Sequence, residues 1–159
     1  MPLYGLIGKK LSHSFSKNYF ETKFQELGLS DHTYQLFELE SIANIDQVLK
    51  QKPKGLNVTV PYKQEVIPSL DSLDASAQKV GAVNVIVNKN NQFIGYNSDY
   101  YGFKISLETW LGIRGAKALV LGTGGASKAI TAALNDMSIS YLLVSRTSGE
   151  GQITYDQLD

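Results

Sequence analysis

Lys63 stands immediately after the stretch "NVTVPY" (57–62), and Asp99 immediately after "GYNS" (95–98). Both lie just past segments with strand character, where ligands collect in open α/β sheets. The chemistry open to a lysine and an aspartate there is proton transfer. A free lysine titrates at about 10.4, so acting as a base near neutrality requires burial or a neighbouring charge to lower that value. An aspartate beside it holds the ammonium in position but opposes that lowering. Two unrelated surface charges are the competing explanation, and spacing alone leaves it open.

Hydroxyl and amide groups accompany the pair. "LSHSFS" (11–16) offers Ser12, Ser14 and Ser16 ahead of a helical pattern. Ser14 and Ser16 could bind a carboxylate with help from the helix N-terminus, or could simply cap that helix. Asn84 interrupts the apolar run "GAVNVI" (81–86), so its amide needs partners if buried. Thr59 raises the same question one strand earlier.

A second group of residues suits a phosphorylated ligand. "VLGTGGASKAI" (120–130) follows an apolar strand and opens a helix. Gly122 can make the tight turn, Gly124 lets a backbone approach a pyrophosphate, and the helix N-terminus supplies free N–H groups. Ser127 stands where the Gly-x-Gly-x-x-Gly pattern has its third glycine, so the fit is partial; a turn that merely packs a helix onto a strand is the alternative. The next strand ends in Ser145, Arg146 and Thr147, not in the acidic residue that accepts from an NAD ribose. An arginine there can pair with a 2′-phosphate, which favours NADP over NAD.

The elements that must carry these residues alternate between strand and helix, the pattern of an α/β protein with a mainly parallel sheet. Strands are expected at 3–8, 33–39 and 55–60, and helices at 16–27 and over 42–49, the latter ending before Pro53. Residues 76–97 hold a hairpin turned at Asn90-Asn91. A helix from Asn97 to Leu111 carries Tyr101, Ile105, Leu107 and Leu111 on its apolar side, with Asn97 or Ser98 as N-cap. Strand 118–121, an alanine-rich helix over 126–137 and strand 141–146 then make one βαβ unit, and the polar tail "TSGEGQITYDQLD" (147–159) follows. A dinucleotide fold needs about six strands in two βαβαβ halves. One unit cannot cover both faces of its sheet, so either the chain is part of a longer protein or the unit packs on another copy.

The 159 residues are 43% hydrophobic and 19% charged, as in an ordinary globular protein, with 15 basic and 15 acidic side chains. That balance argues against a broad basic surface for nucleic acid. Cysteine is absent, which excludes disulfides and thiolate chemistry and fits a reducing, cytoplasmic setting. With His13 and His32 in different segments, no metal site is expected. No secretory leader or membrane span is expected either, because the amino-terminal apolar run is short and followed by lysines.

In order along the chain, "HSFS", "NVTVPYK", "GAVN", "YNSDYYGF", "GTGGAS" and "SRT" resemble the motifs of shikimate dehydrogenases. That resemblance implies NADP-dependent interconversion of 3-dehydroshikimate and shikimate, in aromatic amino-acid and chorismate biosynthesis. It implies Lys63 as the catalytic lysine with Asp99 as its partner. Ser14 and Ser16 would bind the substrate carboxylate, and Thr59, Asn84 and Asp99 the ring hydroxyls. Gly122, Gly124, Gly125, Ala126 and Ser127 would cradle the cofactor diphosphate, and Ser145, Arg146 and Thr147 would face its 2′-phosphate. By this likeness residues 1–100 are the substrate domain, and 101–159 are a linker helix with the start of a Rossmann-like NADP domain. The protein would act as a monomer or homodimer.

Two departures stand out. Where the family usually carries another basic residue, this chain reads "SRTSGEG", and Glu150 would repel a phosphate. The chain also covers roughly the first three-fifths of the family's usual length, so alone it is expected to have little or no dehydrogenase activity. Three other readings remain open: a quinate/shikimate dehydrogenase using NAD, a non-catalytic shikimate-binding module, and a methylene-tetrahydrofolate dehydrogenase, which shares the tyrosine-lysine theme.

Overall fold

Strand β1 (Leu3–Gly8) feeds two cores at once, because successive strand residues point to opposite faces. The computed structural model describes residues 1–110 and 116–158. On one face of the first sheet Ile7 joins Leu56, Val58 and Ile86 under Ile45 and Val48 of helix α2 (Ile45–Leu49). On the other, Leu6 and Tyr34 lie under Phe20 and Phe24 of helix α1 (Ser16–Glu26). Helix α1 closes at Gly28, whose φ of +70° makes a left-handed cap.

The first sheet has the order β2-β1-β3-β5-β6-β4. Its other members are β2 (Thr33–Glu38), β3 (Gly55–Val58), β4 (Ser72–Leu73), β5 (Val85–Lys89) and β6 (Gln92–Tyr96). β1 pairs in parallel with β2 and β3, while β5 runs antiparallel to β3 and β6 antiparallel to β5. The carboxyl ends of β1, β3 and β6 therefore meet the amino end of β5 along one edge of the sheet. The β5–β6 hairpin turns at Asn90 and Asn91, both with positive φ, as a two-residue turn requires. Helix α3 (Ala75–Val80) falls in a stretch expected to hold only the hairpin, although Asp74 caps its start and Gly81 its end.

The second sheet, ordered β7-β8-β9, is wholly parallel: β7 (Lys117–Leu121), β8 (Ser140–Ser145) and β9 (Gln152–Thr154). β9 forms inside the polar tail 147–159, for which the sequence predicts no strand. Helix α5 (Gly125–Asp136) connects β7 to β8. It packs Ala129 and Ala133 against Tyr100 of helix α4 (Ser98–Trp110) and Val80 of α3. Alanines let the helices approach closely, and this contact joins the two sheets' units. The inward side of α4 is thus Tyr100 and Phe103, whereas Tyr101 and Ile105, expected inside, are exposed. Burying Tyr100 against α5 fixes that rotation; Leu111 lies outside the described residues. Leu119, Leu121 and Leu142 of the second sheet are more than half exposed.

Polar contacts fasten α5 as well. Tyr100 donates to Asp136, Lys79 reaches the same carboxylate at 2.5 Å, and Lys104 lies 4.0 Å from it. The hydrogen bonds from Lys79 and Tyr100 hold the Asp136 carboxyl below its ordinary 3.8, and Asp136 in turn raises Lys79 above 10.5. A carboxylate with a lowered native value stabilises the fold above its unfolded value and loses that contribution as pH falls through the lowered one. Asp136→Asn should therefore lower the unfolding temperature near neutrality, with the difference from wild type shrinking below about pH 4. A difference independent of pH in thermal melts would contradict this role for Asp136.

Candidate active site

The edge where β1, β3 and β6 end and β5 begins gathers the first set of residues. β3 stops at Val58, and Thr59 donates its N–H to Ile7 O at 2.9 Å, fastening the strand's exit beside β1. Tyr62 turns inward, fully buried, with its hydroxyl on Leu39 O at 2.5 Å. Burial pushes that phenol's pKa up. With its neighbour anchored, Lys63 faces the other way. Its carbonyl accepts from Val83 N at 2.6 Å, which ties the lysine's backbone to the residue before Asn84.

Lys63 Nζ donates to Asp99 Oδ2 at 2.5 Å, and the lysine side chain is only 14% exposed. The two charges, 36 residues apart in sequence, are thus one ion pair. Asn84 secures its acidic half: Nδ2 donates to Asp99 Oδ1 at 2.7 Å and to Ser98 Oγ at 2.9 Å, while Oδ1 accepts from Ser98 N at 2.8 Å. A buried amide held by these three hydrogen bonds is a rigid support. Asn97, fully buried, caps α4 through Tyr100 N and holds Ala82 O, so the helix start bearing Asp99 is fixed. The result is a lysine ammonium held by one carboxylate oxygen, with the other carboxylate oxygen clamped by an amide.

Ser14 lies on the loop leaving β1 and Ser16 opens α1, both partly buried. Ser14 Oγ accepts from Ser16 N at 3.2 Å, across the turn that leads into α1. Nearby, Tyr34 donates to Asn57 Oδ1 at 2.8 Å, and burial pushes its phenol up to about 12, opposed by the Ser16 hydroxyl. Tyr34 and Asn57 escaped the sequence reading; a polar residue facing inward on β3 was their only signal.

The second set lies around α5. Gly122 adopts φ +107°, which makes the tight turn after β7, and its N–H donates to Val144 O at 2.8 Å. Helix α5 opens at Gly124 with no side-chain cap, leaving its first N–H groups for an anion. A cleft of about 870 Å³ is lined by Gly122, Thr123, Gly124, Ser145, Arg146, Thr147 and Tyr155. Tyr155 was missed because it follows β9, itself unrecognised. Gly125 turns from this cleft towards Lys63, and Ala126 and Ser127 line an apolar groove beside β7. Among the described residues no group of three or more His, Cys, Asp or Glu could hold a metal ion, and no helix is long and apolar enough to cross a membrane.

Residues 6–86, just over half of the chain, match the family model described as the shikimate dehydrogenase substrate binding domain. The chain belongs to the shikimate dehydrogenase family. It is 45% identical over 152 residues to the NADP(+)-dependent shikimate dehydrogenase of Clostridium beijerinckii, covering 92% of this chain and 56% of that protein. Its fold matches the crystal structure of shikimate dehydrogenase 1 from Peptoclostridium difficile with a TM-score of 0.89 and 35% identity, over 99% of this chain and 62% of that one. Shikimate 5-dehydrogenase from Thermus thermophilus, solved with NADP(H) and shikimate, superimposes with a TM-score of 0.78 and 29% identity, over 92% of this chain and 57% of that one. The chain spans about half the length of the curated relatives it matches. Against this family background the Lys63–Asp99–Asn84 cluster and the glycine turn are the two centres of interest.

Proposed function

We propose that the chain carries the substrate site and the first part of the cofactor site of an NADP-dependent shikimate dehydrogenase. Residues 1–100 supply the substrate domain, and residues 101–159 begin the NADP domain. The observation that carries this reading is the Lys63–Asp99 ion pair clamped by Asn84. It puts a mobile proton beside hydrogen-bonding groups suited to a ring polyol.

In this reading Ser14 and Ser16 receive the substrate carboxylate near the α1 N-terminus, and Thr59, Asn84 and Asp99 take its hydroxyls. Lys63 donates a proton as negative charge develops on the carbonyl oxygen during reduction and accepts one in reverse. Asp99 keeps the ammonium aimed and compensates its charge. The residues present fit a dinucleotide: Gly122 turns with positive φ, and a side chain at Gly124 would meet nothing within 4 Å. The cleft beside them has Arg146 on its wall. NADPH, when bound, supplies the hydride. Gly122, Gly124, Gly125, Ala126 and Ser127 offer backbone N–H groups to its diphosphate, and Ser145, Arg146 and Thr147 bind the 2′-phosphate. The methylene-tetrahydrofolate reading gains no support from Tyr62, whose hydroxyl is committed to Leu39 O in the core.

The reading is tested by titrating the 159-residue chain with shikimate and following its backbone amides by NMR. Perturbations centred on Ser14, Ser16, Thr59, Lys63, Asn84 and Asp99 are expected, and their absence at millimolar ligand would contradict the substrate site. The same chain is expected to reduce NADP with shikimate at less than about 1% of the rate of the full-length protein, since chemistry depends on both rings being held in register. Full turnover by this chain alone would overturn that expectation.

A further inference from the structure

Of the glycines in the phosphate turn, Gly122 is needed for its backbone angle and Gly124 faces open space, but Gly125 fits neither description. It is the first residue of α5, and its φ lies outside the left-handed region, so its backbone does not require glycine. What it lacks is room. A Cβ on Gly125 would stand 2.9 Å from Lys63 Cβ and 3.4 Å from Lys63 Cδ, with Ala82 Cβ next at 3.7 Å. The first distance is closer than carbon atoms pack, and the last is ordinary contact.

Neither side can yield cheaply. Lys63 is held through its carbonyl by Val83 N and through its ammonium by Asp99. Its neighbour Tyr62 is locked to Leu39. Helix α5 cannot slide away either, because Ala129 and Ala133 are fully buried in the joint between the units. Its far end is tied through Asp136 to Lys79 and Tyr100.

We propose that Gly125 is a positioning residue: its missing side chain sets how closely Lys63 approaches the phosphate-binding end of α5. The inference rests on the function proposed above, and goes beyond it by separating Gly125 from the residues that only cradle phosphate. A methyl group here forces the Lys63 loop and the helix apart by a fraction of an ångström. That displacement falls between the proton donor and the helix end that would hold the cofactor diphosphate, and so shifts cofactor and substrate relative to each other.

Two measurements test this. In the full-length protein Gly125→Ala is expected to lower kcat by about ten- to a hundredfold, with KM for NADPH and the shikimate Kd changing by less than about threefold. Gly124→Ala is expected to do the reverse, raising KM for NADPH more than it lowers kcat. Unchanged kcat in Gly125→Ala, or KM for NADPH rising as far as kcat falls, would overturn the proposal. The second measurement needs no activity: Gly125→Ala should lower the melting temperature beside Lys63 but not in a Lys63→Gly background, where the clashing Cβ is gone. Equal losses in both backgrounds would overturn the contact. If Gly125→Ala abolishes folding, recovery in the double variant supports the proposal and continued failure refutes it. A protein with no dehydrogenase activity would refute the proposed function, while the melting comparison still decides whether Lys63 sets the limit at Gly125.

Discussion

Lys63→Ala is expected to lower shikimate turnover in the full-length protein by about a thousandfold, within the range for loss of a positioned proton donor. The Kd for shikimate should change by no more than about threefold, because the interaction lost belongs mainly to the transition state. The structural reason is the division of labour around the cluster. Asn84, itself bonded to Ser98, holds Asp99 independently of the lysine, so removing Lys63 leaves the acceptor side of the site standing. The variant does leave a partly buried carboxylate without its cation, and a modest loss of thermal stability is expected alongside. Equal losses in binding and turnover would make Lys63 a binding residue and remove the proton-transfer role.

Arg146→Ala is expected to raise KM for NADPH by about ten- to a hundredfold, the scale of losing charge-assisted hydrogen bonds to a phosphate. KM for NADH should stay nearly constant, because NADH lacks the 2′-phosphate. Arg146 is exposed and lines the cleft together with the glycine turn and Tyr155. Glu150, four residues on, is also exposed, and among the described residues it forms no ion pair with Arg146. Repulsion between exposed charges is weakened by salt. Parallel rises in both Michaelis constants would assign Arg146 to general nucleotide binding and reopen the NAD-dependent reading.

Much of the site was legible because its signals are local. The strand pattern over 55–60, the glycines after an apolar strand and the arginine after the next strand each report their position without tertiary information. The pairing of Lys63 with Asp99 was implied by the family resemblance but not by spacing. It depends on β5 running antiparallel beside β3, so that Asn84 and the start of α4 come to the edge where β3 ends. Periodicity misled on α4, where one burial contact, Tyr100 on α5, outweighs the apolar stripe of Tyr101 and Ile105. β9 is three residues long with polar flanks, too short for any period to register, and Tyr155 went unseen with it. The role of Gly125 was least visible, since a glycine that makes room for a distant lysine looks like any other glycine of the turn.

The most direct test of the account is the initial rate of nicotinamide reduction by the full-length protein with shikimate or quinate, each offered with NADP or NAD. Shikimate with NADP should exceed every other combination by at least about tenfold in kcat/KM, the discrimination that one charge-assisted contact supplies. No reduction of NADP by shikimate, or a rate with quinate and NAD that equals or exceeds it, would contradict the account.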